Sequence, residues 1–373
     1  MRKATCLRAI PRICVSMMKK VVIAMSGGVD SSVAAALLKE QGYEVIGVTM
    51  NLWPSEKEPE ANSSGGCCSL AAVEDARRVA AKLDIPYYVL NFRDIFEEKV
   101  IANFISEYGA GRTPNPCIRC NQFIKFKTLL QKTRELGAEF LATGHYARII
   151  FNEKSGCYRL ERGVDSSKDQ SYVLYSMTQE QLKSTLMPLG GYTKERTRKL
   201  ASMLGLKVAG KPESQEICFI PDNNYRRFLK AKVPSVFKEG LIYDRQGKVV
   251  RTHSGIINYT IGQRKGLGGG AGEPHYVIDI RTEDNAVVIG PAKFLEKKGF
   301  VAADADFIWG LNEKVMAQIR YNSKPVLSTL KQLEEGRVEV IFDKPQKAVT
   351  PGQAAVFYDG DTVIGGATIE SSF

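Results

Sequence analysis

The chain has 373 residues, of which 44% are apolar and 25% charged, which excludes collagen-like, fibrous and largely disordered chains. No run of about 18 apolar residues marks a membrane span, and eight cysteines are too few for a disulfide scaffold, so a reducing, cytoplasmic setting is expected. The net charge is +11, of which Arg2, Lys3, Arg8, Arg12, Lys19 and Lys20 supply six with no acid among residues 1–20; the moderate excess on the rest is compatible with a nucleic-acid partner.

Residues 1–19 read either as an Arg-rich transit segment or as a stretch upstream of a start at Met17 or Met18, and are set apart with Cys6 and Cys14. Lys20–Met25 is a short apolar run of strand type. Ser26-Gly27-Gly28-Val29-Asp30-Ser31-Ser32 follows, then helical periodicity over Val33–Gln41 with Gly42 as a stop. Glu44–Met50 is a second strand, so the chain opens as a βαβ unit. Leu70–Leu83 reads as a helix, Tyr87–Phe92 as a strand, Ile95–Tyr108 and Asn121–Leu136 as helices, and Phe140–Ala142 as a strand. This alternation predicts an α/β fold, a doubly wound parallel sheet with helices on both faces and a ligand beyond the strand ends. After about residue 225 short strands replace it: Gly240–Arg251, Tyr276–Asp279, Ala286–Gly290, Arg337–Phe342 and a β pattern over Val349–Ile369. The expected division is 20–222, 223–293 and 294–373, the last two β-rich and the last barrel-like.

The loop between the first strand and helix suits an anion. Gly27 and Gly28 let the backbone approach phosphate, Ser31 and Ser32 add hydroxyls, and the helix dipole favours negative charge. The Lys of a Walker A motif is missing. SGGVDSS resembles the PP-loop of ATP pyrophosphatases. That resemblance implies ATP held by its β- and γ-phosphates, AMP transfer to a substrate oxygen, and Mg²⁺ on the departing oxygens. Asp30 reads either as help for the metal or as a cap of the helix start.

Cys117 and Cys120 lie in TPNPCIRCN. A helix start close to Cys120, with Arg119 and Lys125 nearby, would favour its thiolate. A single C-x-x-C leaves structural zinc, a redox pair and apolar filling all open. Cys218 lies far downstream in SQEICFIP, while Cys67, Cys68 and Cys157 read as filling.

TPNPCIRCNQFIKF, ATGHYAR, KDQSYVLYSM, ESQEICFIP, TIGQRKGLG and VTPGQAAVFYDG follow in this order. With the PP-loop they closely resemble the tRNA-specific 2-thiouridylases from about residue 20 to 370. The resemblance implies ATP-dependent replacement of the wobble-uridine C2 oxygen by sulfur in tRNAs reading Lys, Glu and Gln codons. It places ATP at Ala24, Met25, Ser26, Gly27, Gly28, Val29, Asp30, Ser31, Met50 and Gly144. It makes Cys120 the nucleophile and Cys218 the persulfide carrier. Asn115, Pro116 and Cys117 would meet the target base, and His145, Lys168, Asp169, Gln170, Arg320, Tyr321 and Gln353 would contact tRNA. A cysteine desulfurase or sulfur-relay protein is implied as sulfur donor, and no membrane partner is expected.

One position departs from a common family version. Where many members carry Asp, this chain has Cys117, so no carboxylate can act there. Cys117, Cys120 and Cys218 are then three thiolates suited to an iron–sulfur cluster, the alternative to a persulfide relay. Two other functions remain: a PP-loop synthetase adenylating a small molecule, against which the cysteine blocks argue, and an inactive tRNA-binding module, against which the intact loop and thiols argue. His145, Lys168 and Arg320 also read as ordinary structural or solvated residues. Arg320 beside Tyr321 suits phosphate contact plus base stacking.

Overall fold

The computed structural model describes residues 18–52, 70–212, 217–220, 222–234, 237–267, 273–310 and 312–373. Cys6, Cys14, Cys67 and Cys68 lie outside the described residues, as do the 213–216 part of the ESQEICFIP block and the last glycines of the TIGQRKGLGGG run.

The first half is built on β1 (Lys20–Ala24), α1 (Val29–Glu40), β2 (Glu44–Asn51), α2 (Leu70–Lys82) and β3 (Tyr87–Asn91). Two long helical segments follow, α3 (residues 93–109) and α4 (residues 116–135), each with a π-helical middle. Then come β4 (Phe140–Ala142), the hairpin β5 (Ala147–Asn152) and β6 (Cys157–Arg162), α5 (Gln179–Lys183), β7 (Thr185–Leu186) and α6 (Lys194–Met203). Strands β3-β2-β1-β4-β7 form the parallel sheet.

Alternation along β1 explains why both faces are covered. Val22 enters one apolar cluster with Phe96, Phe104, Ile124 and Leu141. Val21 and Ile23 point the other way, into a cluster with Val33, Leu37, Ala76 and Val79. Successive side chains of a strand face opposite sides, so a strand apolar at every position needs helices on both.

The β5–β6 hairpin was not legible in the sequence. It leaves the parallel sheet and pairs with the last strand through Thr362 and Glu161. Helices α5 and α6, and α7 (Tyr225–Lys232), were not anticipated either.

The β-rich half holds β8 (Gly240–Tyr243), β9 (Val249–His253), β10 (His275–Arg281) and β11 (Ala286–Pro291), in the order β10-β11-β8-β9. It ends in β12 (Glu296–Phe307), β13 (Lys314–Gln318), β14 (Val326–Gln332), β15 (Val338–Lys347), β16 (Ala354–Asp359) and β17 (Thr362–Ser372). These six pair in the order β12-β15-β14-β13-β16-β17, and β12 also pairs with β17. The sheet therefore closes into a barrel. Its interior is filled by Phe300, Val340, Phe357, Ile364 and Ile369.

Candidate active site

Helix α1 begins at Val29, four residues earlier than its periodicity predicts, so Asp30, Ser31 and Ser32 lie within its first turn. The Ser32 hydroxyl donates to the Gly28 carbonyl at 2.8 Å, and the Ser31 hydroxyl accepts from the Ser26 amide at 3.1 Å. Gly27 has φ +65°, and a Cβ on it would lie 2.2 Å from the Ala72 carbonyl oxygen. Only glycine fits there. Gly144, just past β4, is constrained by space alone, because its Cβ would lie 2.8 Å from the Ser31 amide nitrogen. The sequence-predicted Gly27, Gly28, Asp30, Ser31 and Gly144 thus meet at one helix N-terminus, where an anion is favoured. Ala24 ends β1 and Met50 is the last residue but one of β2, both half-buried, while Met25 and Val29 are buried.

Of the two sequence readings of Asp30, the capping one needs correcting. Gly28, not Asp30, is the N-cap. The Asp30 carboxylate accepts from Lys194 Nζ at 2.8 Å on both oxygens and from the Tyr146 hydroxyl at 2.7 Å. Lys194 is buried and opens α6, while the Asp30 side chain is 32% exposed, so it is the ammonium that depends on its partner. The carboxylate keeps an acceptor site beyond these three contacts, so a divalent ion could share it with the ammonium. A second basic residue, Lys211, donates to the Gly27 carbonyl at 3.2 Å and to Asp75 at 2.8 Å. Sequence reasoning missed Tyr146, Lys194 and Lys211. An acid inside a buried loop signals that a partner is needed but not where it comes from.

The cysteine segment also differs from expectation. Asn115 caps α4, its side-chain oxygen accepting from the Cys117 amide at 3.1 Å, with Pro116 at the first helical position. The helix therefore starts four residues before Cys120. Cys117, exposed, sits in the first turn where the dipole favours a thiolate, and Cys120, half-buried, begins the π-helical stretch Cys120–Leu129. Cys218 is likewise half-buried. Cys120 and Cys218 pack against the same apolar core. Phe219 anchors the Cys218 segment through ring contacts to Phe96, Phe104 and Phe228 with centroids 5.3–5.7 Å apart.

No group of three His, Cys, Asp or Glu side chains among the described residues is arranged to hold a metal ion. Cys117, Cys120 and Cys218 are all described, so a three-thiol cluster site is not assembled in this conformation.

The expected tRNA positions fall into two linked groups. Asp169 accepts from Arg162 at 2.9 Å, from the Gly163 and Ser171 amides and from the Ser171 hydroxyl. The Tyr321 hydroxyl donates to the Asp169 carbonyl at 3.1 Å, and Gln170 accepts from the Tyr146 amide at 3.1 Å. Arg320 donates to the carbonyls of Ile261 and Ala348 and to Thr350, so its guanidinium ties the central sheet to the barrel. Lys168 is half-buried beside them. Gln353 donates to the Thr113 carbonyl at 2.7 Å, which braces the approach to Asn115, Pro116 and Cys117 against the barrel. Tyr321 is 40% exposed and can offer a ring face.

His145 is 7% exposed, which leaves it little surface for RNA. Its ring is hydrogen-bonded to Thr143 at 2.8 Å and sits 3.4 Å from Lys125 Nζ. Burial, and secondarily the Lys125 charge, hold its pKa well below the ordinary histidine value. The unfolded chain therefore binds a proton that the native state refuses. Stability is intact above about pH 6.5 and falls with acidification, by up to about 1.4 kcal/mol per pH unit. Urea denaturation from pH 7.5 to 5 should show this slope, and His145→Gln should reduce it, the remainder coming from His253, whose pKa burial also lowers.

The matches to known proteins follow this architecture. The family model described as tRNA methyl transferase HUP domain matches residues 19–222. The models described as tRNA methyl transferase PRC-barrel domain and aminomethyltransferase beta-barrel domain match 226–291 and 295–369. Among curated proteins, the tRNA-specific 2-thiouridylase MnmA of Carboxydothermus hydrogenoformans is 55% identical over 94% of this chain and 98% of its own. The proteins of the same name from Heliobacterium modesticaldum and Pelotomaculum thermopropionicum are each 56% identical over 95% of this chain, covering 93% and 98% of theirs. Identity above 50% over nearly the full length of this chain and of its relatives places the chain in the tRNA-specific 2-thiouridylase family.

Proposed function

We propose that this chain catalyses ATP-dependent 2-thiolation of the wobble uridine in tRNAs reading Lys, Glu and Gln codons. The observation that carries the reading is the pairing of a glycine loop at a helix N-terminus with two half-buried cysteines packed on one core. We further propose a division into a catalytic part (20–222), a central part (223–293) and a barrel (294–373). The partners are tRNA and a desulfurase or relay protein that loads sulfur. A cytoplasmic setting suits thiols that must be re-reduced after each turnover.

The residues perform distinct tasks in this scheme. The backbone of Gly27–Ser31 holds the β- and γ-phosphates, with Gly144 fixing the loop from below and Met50 beside the base. Mg²⁺ would supply charge neutralisation on the departing oxygens, and Asp30, the carboxylate of the loop, would help hold it. The uridine O2 attacks the α-phosphorus, the bond to the bridging oxygen breaks, and pyrophosphate leaves with the electron pair as N3 loses its proton. Cys218 carries the persulfide. In one route the Cys120 thiolate attacks its inner sulfur, forms a Cys120–Cys218 disulfide and frees hydrosulfide, which attacks C2. In the other the terminal persulfide sulfur attacks C2 directly and Cys120 then releases it. AMP leaves with the former O2, and an external dithiol reduces the disulfide.

Pyrophosphate release measured with and without tRNA tests this reading against a small-molecule synthetase. Release should require tRNA, and tRNA-independent turnover would contradict it. Binding should also be salt-dependent, because lysines and arginines displace counterions from phosphate. An affinity loss of at least about tenfold is expected between about 50 and 200 mM salt. A dissociation constant unchanged over that range would argue against tRNA as substrate.

A further inference from the structure

The glycine loop contains no basic residue, yet the leaving group it is read to hold is a highly charged pyrophosphate. We infer that Lys211 supplies the missing cation, in place of the lysine that other phosphate loops carry within the loop itself. This assignment rests on the nucleotide reading above.

Lys194 and Lys211 both touch the loop, and their surroundings separate their roles. Lys194 is buried, its side chain 9% exposed, and it contacts both oxygens of the loop's own carboxylate, Asp30. Withdrawing it would strand a charge, so its task is to neutralise Asp30 and hold the first turn of α1. Lys211 is placed differently. Its side chain is 37% exposed, and it pairs with Asp75 on α2, itself 27% exposed. Its ammonium also donates to the Gly27 carbonyl, the residue whose backbone makes the tightest turn of the loop. A pair this solvated costs little to exchange, so the ammonium can trade Asp75 for a phosphate oxygen.

The segment bearing it is pinned for that purpose. Arg198, on α6, donates to the carbonyls of Ala209 at 2.8 Å and Lys211 at 3.3 Å. The backbone of Lys211 is thereby fixed while its side chain reaches the loop. Asp75 acts as the holder in the absence of nucleotide. During adenylation, as the bond between the α-phosphorus and the bridging oxygen breaks, negative charge moves onto pyrophosphate, and the ammonium stabilises it. No proton transfer is required of Lys211.

Binding of ATP, inorganic pyrophosphate and AMP to the full chain, measured calorimetrically with Mg²⁺, tests the assignment. Lys211→Gln should weaken ATP and pyrophosphate at least about tenfold, the usual worth of a charge-assisted contact. AMP, which lacks those phosphates, should bind within about twofold of wild type. Lys211→Arg should recover most of the loss, and Asp75→Asn should bind ATP no more weakly than wild type. Unchanged ATP and pyrophosphate affinity in Lys211→Gln would overturn the assignment. So would an equal loss for AMP, which would mark Lys211 as a brace of the fold. A wild-type protein that binds no ATP would overturn the nucleotide reading itself and this assignment with it.

Discussion

Replacing Cys120 or Cys218 by serine is expected to lower thiolation by at least about 10³-fold, the scale at which losing a nucleophile is felt, while tRNA binding stays near normal. A hydroxyl is close in size to a thiol, so the packing of both residues against the core is largely kept. What is lost is chemistry: the hydroxyl of Cys218→Ser cannot carry a persulfide, and that of Cys120→Ser cannot open one. Cys117→Ser separates the two sulfur routes. Cys117 is exposed in the first turn of α4, and the persulfide relay does not use it, so this variant should retain thiolation. Its inactivation would favour the three-thiol cluster. Loss of tRNA binding in both Cys120→Ser and Cys218→Ser would show that these thiols are structural.

Gly27→Ala is expected to be the most damaging single change in the loop. Its methyl would have to occupy space 2.2 Å from the Ala72 carbonyl oxygen, at φ +65°. The backbone conformation costs about 1–2 kcal/mol for an L-residue, and forcing α2 away adds about 1–3 kcal/mol. Stability measured in urea should fall by about 2–5 kcal/mol, and ATP affinity should fall with it as the loop shifts. Two controls divide the effect. Gly42 has φ +84° with nothing within 4 Å of its Cβ position, so Gly42→Ala reports the conformational term alone. Gly28 has ordinary φ, and its nearest contact would be the Ser26 hydroxyl at 3.4 Å. Gly28→Ala should therefore leave stability almost intact.

The parallel sheet was legible because its signals are local. Runs such as Val21–Ile23 are apolar at every position, and the glycine loop separates strand from helix within a few residues. The PP-loop and the ordered blocks around Cys120 and Cys218 identified the family for the same reason. What escaped reading depends on distance along the chain. Asp30 meets Lys194 across 164 residues, and Gly27 meets Lys211 across 184. A lysine in a helix start reads as a solvated charge until the fold places a carboxylate beside it. The β5–β6 hairpin was missed because it directly follows β4 of the parallel sheet, and β6 finds its other partner only in the last strand. The start of α4 was misplaced because the two prolines suggest an extended approach, whereas Pro116 in fact occupies the first helical turn behind its Asn115 cap.

The most direct test of the account is nucleoside mass spectrometry of wobble-uridine tRNA after incubation with anaerobically purified protein, ATP, Mg²⁺ and a desulfurase with cysteine, with iron quantified on the same sample. The persulfide relay predicts 2-thiouridine from iron-free protein, dependent on ATP and on both Cys120 and Cys218. Product formed only by iron-loaded protein would contradict the relay, and no product under either condition would contradict the thiolase assignment.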